Sequence, residues 1–263
     1  MKKSINNLLI ACLLTAQSTV YAEEISSSFM PETETKEITY VDKKSGEFRS
    51  KLNVSLKKIS KDGRIIYQLS STGKGNHDKY QDVVWESTAE MEDREGLLYP
   101  LYSITTIKEA MDGIDIKHEK RFDYDKRKIF YSISDSKGNI IKKAAFPIKG
   151  LTTESSTMTY VLKVFIANRN DKTYRDIYLL SDRAKLYRVT IKPMGKEILD
   201  LPSGKIEALK LRLVPNLGIL TGVIGSLIPP TYVWYIDQPP YKWLQYQGLE
   251  TGIGSTHIRA YTN

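Results

Sequence analysis

Downstream of residue 36, apolar and polar positions alternate along most of the chain, the period of strands covered on one face. Leu52, Val54 and Leu56 alternate with Asn53, Ser55 and Lys57. Asp62-Gly63 then supplies a turn tolerant of positive φ, and Ile65, Tyr67 and Leu69 return on one face. The same grammar recurs. Val83 to Trp85 and Ile104 to Ile107 read as strands. Phe122 and Tyr124 lead through Asp125-Lys126-Arg127 into Tyr131 and Ile133, and Ser136-Lys137-Gly138-Asn139 turns into Ile140 and Ile141. Tyr187, Val189 and Ile191 share a face, Met194-Gly195-Lys196 reads as a turn, and Pro202-Ser203-Gly204 turns the chain into Leu209, Leu211 and Leu213. About ten strands result, and their short connections make neighbours antiparallel, because a parallel crossover needs a dozen residues or more.

One segment departs from that period. Across residues 152–170, Met158, Val161, Leu162, Phe165 and Ile166 recur at helical spacing, with Thr and Ser hydroxyls ahead of them for capping and Glu154 suited to the positive helix end. Lys163, Asn168 and Arg169 fall largely off the stripe. The predicted fold is mainly β: a long curved antiparallel sheet, or half-barrel, of about ten strands covering one amphipathic helix, since a lone helix and the apolar face of a sheet need one another as cover.

The N-terminus changes where this fold is expected to reside. Lys2 and Lys3 precede an apolar run from Leu8 to Leu14, and Val20-Tyr21-Ala22 stands before two acids, the layout of a secretory signal peptide over residues 1–22. A lipoprotein site at Cys12 is the rival reading, and it leaves a targeting core shorter than usual. Residues 23–36 read as a flexible leader, and 37–263 as a single β-rich domain. Cleavage after Ala22 removes the one cysteine, so stability is expected to come from the core rather than from disulfides. The formal charge of +8 becomes +6 once Lys2 and Lys3 are gone, a surplus suited to anionic envelope material. Because the lysines are interleaved with acids, as in KHEKRFDYDKRK (117–128), that segment reads as a solvated hairpin and nucleic acid is not expected as a partner.

Catalytic motifs are not legible. His77, His118 and His257 stand outside any metal-ligand spacing, and neither a nucleophile elbow nor a phosphate-cradling loop occurs. No catalytic residue, metal or cofactor is therefore assigned. Two other features draw attention. The stretch NLGILTGVIGSLIPP (216–230) is uncharged, and its Leu217, Leu220 and Ile224 read either as a buried plug or as a mobile apolar lid over a ligand. It leads into YVWYIDQPPYKWLQYQG, where Tyr232, Trp234 and Trp243 are candidate pocket walls and Lys242 and Arg259 are candidates to meet an anionic head group.

The segment from about Asp182 to Ile258, with EILDLPSGKIEALKLRLVP, YVWYIDQPPYKWLQYQG and GLETGIGSTHI, resembles the bacterial envelope family catalogued as domain of unknown function 3108. Trp234 and Asp237 approximate that family's Trp-x-x-x-Asp ending, whereas the apolar insert before Pro229 departs from it. The resemblance implies a periplasmic, mostly antiparallel β protein and, by looser fold analogy, a half-barrel like that of periplasmic lipoprotein carriers; it implies no activity. The function expected is non-catalytic binding of an apolar or amphiphilic envelope ligand, such as a lipid, in a groove of the curved sheet. The alternatives are a hydrolase of envelope polysaccharide or peptidoglycan, and an assembly factor that docks on an outer-membrane or export machine, with an envelope protein as its partner.

Overall fold

Asp62 and Gly63 both adopt positive φ, and the strands they join, β2 (Phe48–Lys61) and β3 (Arg64–His77), pair in the register that sets Leu56 opposite Leu69. This turn matches the twist of an antiparallel pair, so the hairpin forms where the alternation placed it. The computed structural model describes residues 29–109, 115–168, 176–216 and 228–263. Around the hairpin lie β1 (Thr33–Asp42), β4 (Tyr80–Arg94), β5 (Leu97–Glu109), β6 (Asp115–Asp123), β7 (Lys128–Asp135) and β8 (Ile140–Pro147). After β9 (Thr152–Glu154) comes the helix α1 (Met158–Ala167), followed by β10 (Asp176–Leu180), β11 (Leu186–Leu201), β12 (Gly204–Asn216), β13 (Thr231–Tyr235), β14 (Trp243–Leu249) and β15 (His257–Thr262).

All fifteen strands belong to one sheet, ordered β8-β7-β6-β5-β4-β3-β2-β1-β15-β14-β13-β12-β11-β10-β9. Two meanders therefore share a seam, the antiparallel pair β1–β15. The β9–β10 pair is parallel, and α1 lies in the crossover connection that a parallel pair needs. The sheet rolls on itself without closing: β8 and β9 do not pair, yet its two ends meet through side chains. Leu180 at the end of β10 packs with Phe122, Ile129 and Tyr131 of β6 and β7, and Lys120 on β6 reaches Glu154 on β9.

Inside the roll lies α1. Its stripe residues Met158, Val161, Leu162, Phe165 and Ile166 are all buried, as the spacing predicts, but so are Tyr160, Lys163 and Val164. A helix enclosed by a rolled sheet has no wet face, so Lys163, expected off the buried stripe, is 1% exposed and bonds Glu34 at 3.0 Å. Glu154 caps this helix with Oε1, which accepts from the Thr157 backbone N–H at 3.0 Å.

Several expectations are corrected. Among the described residues the sheet has fifteen strands rather than about ten. Strands such as Thr152-Thr153-Glu154 carry no alternation, although all three residues are buried. Of the residues expected to form a flexible leader, Met30 is part of the core and β1 starts at Thr33. Met194-Gly195-Lys196 is not a hairpin turn but a bulge within β11, where the register with β12 shifts between Pro193 and Lys196 and Gly195 takes φ +88°. The hairpin at 117–128 is not wholly solvated, since Lys120 is 2% exposed.

The edges differ. β9 is buried along its length, while in β8 Ile140, Ile141, Lys142 and Lys143 are all exposed. Among the described residues no helix is long and apolar enough to cross a membrane.

Candidate functional site

Because α1 fills only part of the roll, a cavity of about 290 Å³ remains between it and the sheet. One wall is apolar and comes from the seam side: Ile38 on β1, Val189 on β11, Leu213 on β12, Trp243 on β14 and Ile258 on β15. The other wall is polar. Ser71 on β3 faces Ser87 on β4, Ser87 faces Thr105 on β5, and Thr105 faces His118 on β6, one direct cross-strand pair after another. All four line the cavity and all are half-buried.

Period two explains the row. Tyr67 and Leu69 are buried on the inner face of β3, so Ser71 also points inward; Trp85 and Ala89 do the same for Ser87 on β4. Ser87 and Thr105 hydroxyls bond each other at 2.9 Å. Tyr131 donates its hydroxyl proton to the Asp182 carbonyl at 2.8 Å, so its oxygen accepts from His118 Nδ1, 3.1 Å away. This arrangement places the His118 proton on Nδ1 and leaves the Nε2 lone pair unused by that bond. Burial, the leading cause, pulls the His118 pKa below 6.5 despite Asp182, so the ring is neutral at neutral pH.

Charged groups at the cavity are already paired. Where Lys36 lines it, the ammonium bonds Glu34 at 3.1 Å and lies 4.6 Å from the Tyr160 ring centroid and 5.5 Å from that of Trp243. Glu34 also receives Lys163, so two ammonium groups share one carboxylate. Burial lowers the Lys36 pKa to about 8, with Glu34 resisting and Lys163 assisting. Burial pushes the Glu34 carboxyl upward, but its two lysines outweigh this and hold it below its ordinary value.

At the end where β3 and β14 finish, Glu250 accepts from Arg49 at 2.9 Å and lies 3.5 Å from His77 Nδ1, whose ring stacks on Trp85 with centroids 4.8 Å apart. Trp85 in turn lies flat over Gly73, where a Cβ would come within 2.1 Å of the indole. Arg183 then ties the turns together, bonding Asp78 Oδ1 at 2.7 Å and the Ile253 carbonyl at 3.2 Å.

The residues singled out by sequence fare differently. Trp243 lines the cavity. Tyr232 and Trp234 do not; they stand on the outer face, packed with Leu199, Leu201, Ala208 and Leu244, and the Trp234 indole N–H donates to Glu197 at 2.7 Å. On β13 it is Val233 and Tyr235 that join the inner core, and the bulge opposite Trp234 sends Leu244 outward while Trp243 stays inside. Lys242 is exposed, and Arg259 lies over the ring of Tyr261, a residue packed on the outer cluster, so neither is a cavity-lining residue. Leu217, Leu220 and Ile224 lie outside the described residues, although Pro215 and Ile228 on either side of that segment line the cavity. Sequence reasoning missed the Ser71–His118 row altogether, and with it Lys36.

No family model matches the chain, so the resemblance to domain of unknown function 3108 gains no support, and no curated protein matches it. A solved structure of a β-barrel-like protein of domain of unknown function DUF1849 from Brucella abortus is similar to it, at 10% identity over 88% of this chain and 95% of that one, with a TM-score of 0.45.

Proposed function

We propose that the protein is a non-catalytic binding protein of the bacterial envelope, periplasmic by the signal-peptide pattern of residues 1–22, that holds an amphiphile inside the rolled sheet. The observation that carries this reading is the two-sided cavity of about 290 Å³, apolar along Ile38, Leu213 and Ile258 and hydroxyl-bearing along Ser71, Ser87 and Thr105. Ligand sites are concave, mostly apolar and furnished with a few placed polar groups, and this one fits that description. A protein stabilised by its core alone would gain by filling such a space with side chains, because voids forfeit dispersion contacts. The carboxylates that line it are held in ion pairs: Asp182 binds Lys120 and Glu250 binds Arg49.

The test is native mass spectrometry of protein prepared without detergent, together with titration by the neutral apolar fluorophore N-phenyl-1-naphthylamine. A co-purifying amphiphile that the fluorophore displaces is expected. Ligand-free protein that shows no saturable fluorophore binding would overturn the reading.

A further inference from the structure

An inward-facing row of four uncharged polar side chains has a cost that the fold does not explain. On β3 and β4 the neighbouring inward positions are apolar, Leu69 and Ala89 on one side of the row and Trp85 on the other, and Ile107 follows Trp85 on β5; on β5 and β6 the buried Ser103 and Lys120 continue the Leu69–Ala89 row. A core would continue the apolar pattern of β3 and β4, since burying a hydroxyl without a full set of partners is unfavourable. Yet Ser71, Ser87, Thr105 and His118 stand in register on four adjacent strands, over about 14 Å at ordinary strand spacing.

Their hydrogen-bonding capacity selects a partner. Ser87 and Thr105 consume one proton in their mutual bond, which leaves one hydroxyl proton and several lone pairs to offer. Ser71 offers a donor and acceptors, and His118 an acceptor at Nε2, given the bond from its Nδ1 to Tyr131. A carboxylate only accepts, so it meets the Nε2 lone pair unfavourably; an ammonium only donates, so it wastes the hydroxyl protons. A sugar hydroxyl does both. Nor does the row carry a net charge to recruit an ion, and the charged side chains that line the cavity, Asp182, Lys36 and Glu250, are held by Lys120, Glu34 and Arg49.

We propose that Ser71, Ser87, Thr105 and His118 receive the uncharged, hydroxyl-rich head group of the amphiphile, a sugar, whose alkyl part lies on the wall formed by Ile38, Val189, Leu213 and Ile258. This rests on the amphiphile reading above and names the chemistry of its head.

The experiment is isothermal titration calorimetry of the full chain with n-octyl glucoside below its micellar concentration, with octanoate, and with free glucose. It is run on the wild type, on Ser87→Ala/Thr105→Val and on His118→Gln, each checked for cooperative thermal unfolding. The glucoside is expected to bind the wild type at least tenfold more tightly than octanoate. Ser87→Ala/Thr105→Val should reduce that preference to within about threefold, while His118→Gln, which keeps an acceptor, retains most of it. Equal binding of glucoside and octanoate, or a preference unchanged in Ser87→Ala/Thr105→Val, would overturn the head-group assignment and leave the amphiphile reading standing. Free glucose binding as tightly as the glucoside would keep the sugar contact and refute the amphiphile. Absence of binding by all three to the wild type would overturn both. Should the double variant not unfold cooperatively, Ser71→Ala alone serves in its place, with the same outcomes.

Discussion

Lys120 on β6 donates to Glu154 on β9 at 2.8 Å, although β6 and β9 lie toward opposite ends of the sheet order. The same ammonium contacts Asp182, which follows β10, and the same carboxylate caps α1. One buried cation therefore fastens the two ends of the roll and the helix together. Replacing it by methionine leaves the buried Glu154 carboxylate and the half-buried Asp182 carboxylate without their cation, and Lys120→Met is expected to lose about 3–5 kcal/mol in urea unfolding. A loss under about 1 kcal/mol would show that packing alone holds the ends. Burial pushes the Asp182 carboxyl up, but Lys120 more than offsets this and its pKa falls below 3.8. A carboxylate depressed in the folded state contributes stability fully above its unfolded value and loses it as the pH falls through the folded one. Below about pH 4, wild-type stability should accordingly fall more steeply than that of Asp182→Asn.

At Lys36 the sign runs the other way. Burial depresses a base to about 8, so between that value and the ordinary 10.5 the unfolded chain binds more protons than the folded one. Charged Lys36 thus costs stability below pH 8, and the cost disappears as the pH rises toward 10.5. Lys36→Met, which leaves Glu34 and Lys163 as a balanced pair, should be as stable as the wild type or more so by about 1–4 kcal/mol at pH 7. The difference should narrow by pH 10. Destabilisation of the variant at both pH values, read by urea titration, would contradict this account.

Gly73 is held to its type by contact rather than by backbone angle. A methyl group there would fall inside the Trp85 indole, which is wedged between Gly73 and the His77 ring. Gly73→Ala is expected to cost about 1–3 kcal/mol by overpacking. Its tryptophan emission should shift to longer wavelength as the indole is displaced; unchanged emission and stability would mean that the ring has another place to go.

Trp234 and Trp243 separate stability from binding. Trp234→Phe forfeits the bond to Glu197 on the outer face, a loss of about 1–3 kcal/mol for a charge-assisted bond. It should leave N-phenyl-1-naphthylamine affinity within about twofold of the wild type. Trp243→Leu, which alters the cavity wall, is expected to change that affinity at least fivefold. The reverse pattern would move the ligand to the outer cluster.

The β2–β3 hairpin and the stripe of α1 were readable because each depends on residues close in sequence: a two-residue turn in one, helical spacing in the other. Faces were harder. With aromatic residues on both sides of β13, alternation says that Trp234 and Val233 point oppositely but not which of them meets the core; that is decided by β12, where Leu209 and Leu211 face inward. The bulge in β11 was read as a turn because glycine with positive φ serves both, and only pairing with a distant strand distinguishes them. Ser71 could have been placed inside from its spacing to Leu69. That it joins Ser87, Thr105 and His118 in one line depends on the registers of three strand pairs, which no local pattern encodes. Lys163 and Lys120 were assigned to water because lysine is seldom buried; their carboxylate partners lie 129 and 34 residues away in sequence.

Of the sheet's two borders, β9 is sealed and β8 faces water, with Ile140 and Ile141 ready to zip onto any extended chain. Lys142 and Lys143 interrupt that invitation. When two molecules meet border to border, each brings a doublet of ammonium groups with no acid in β8 to answer it, so pairing of two copies through this edge is opposed by like-charge repulsion rather than by a physical cover. Concentrated salt, which shortens the reach of such repulsion to about 3 Å at 1 M, would remove that guard while leaving the interior untouched.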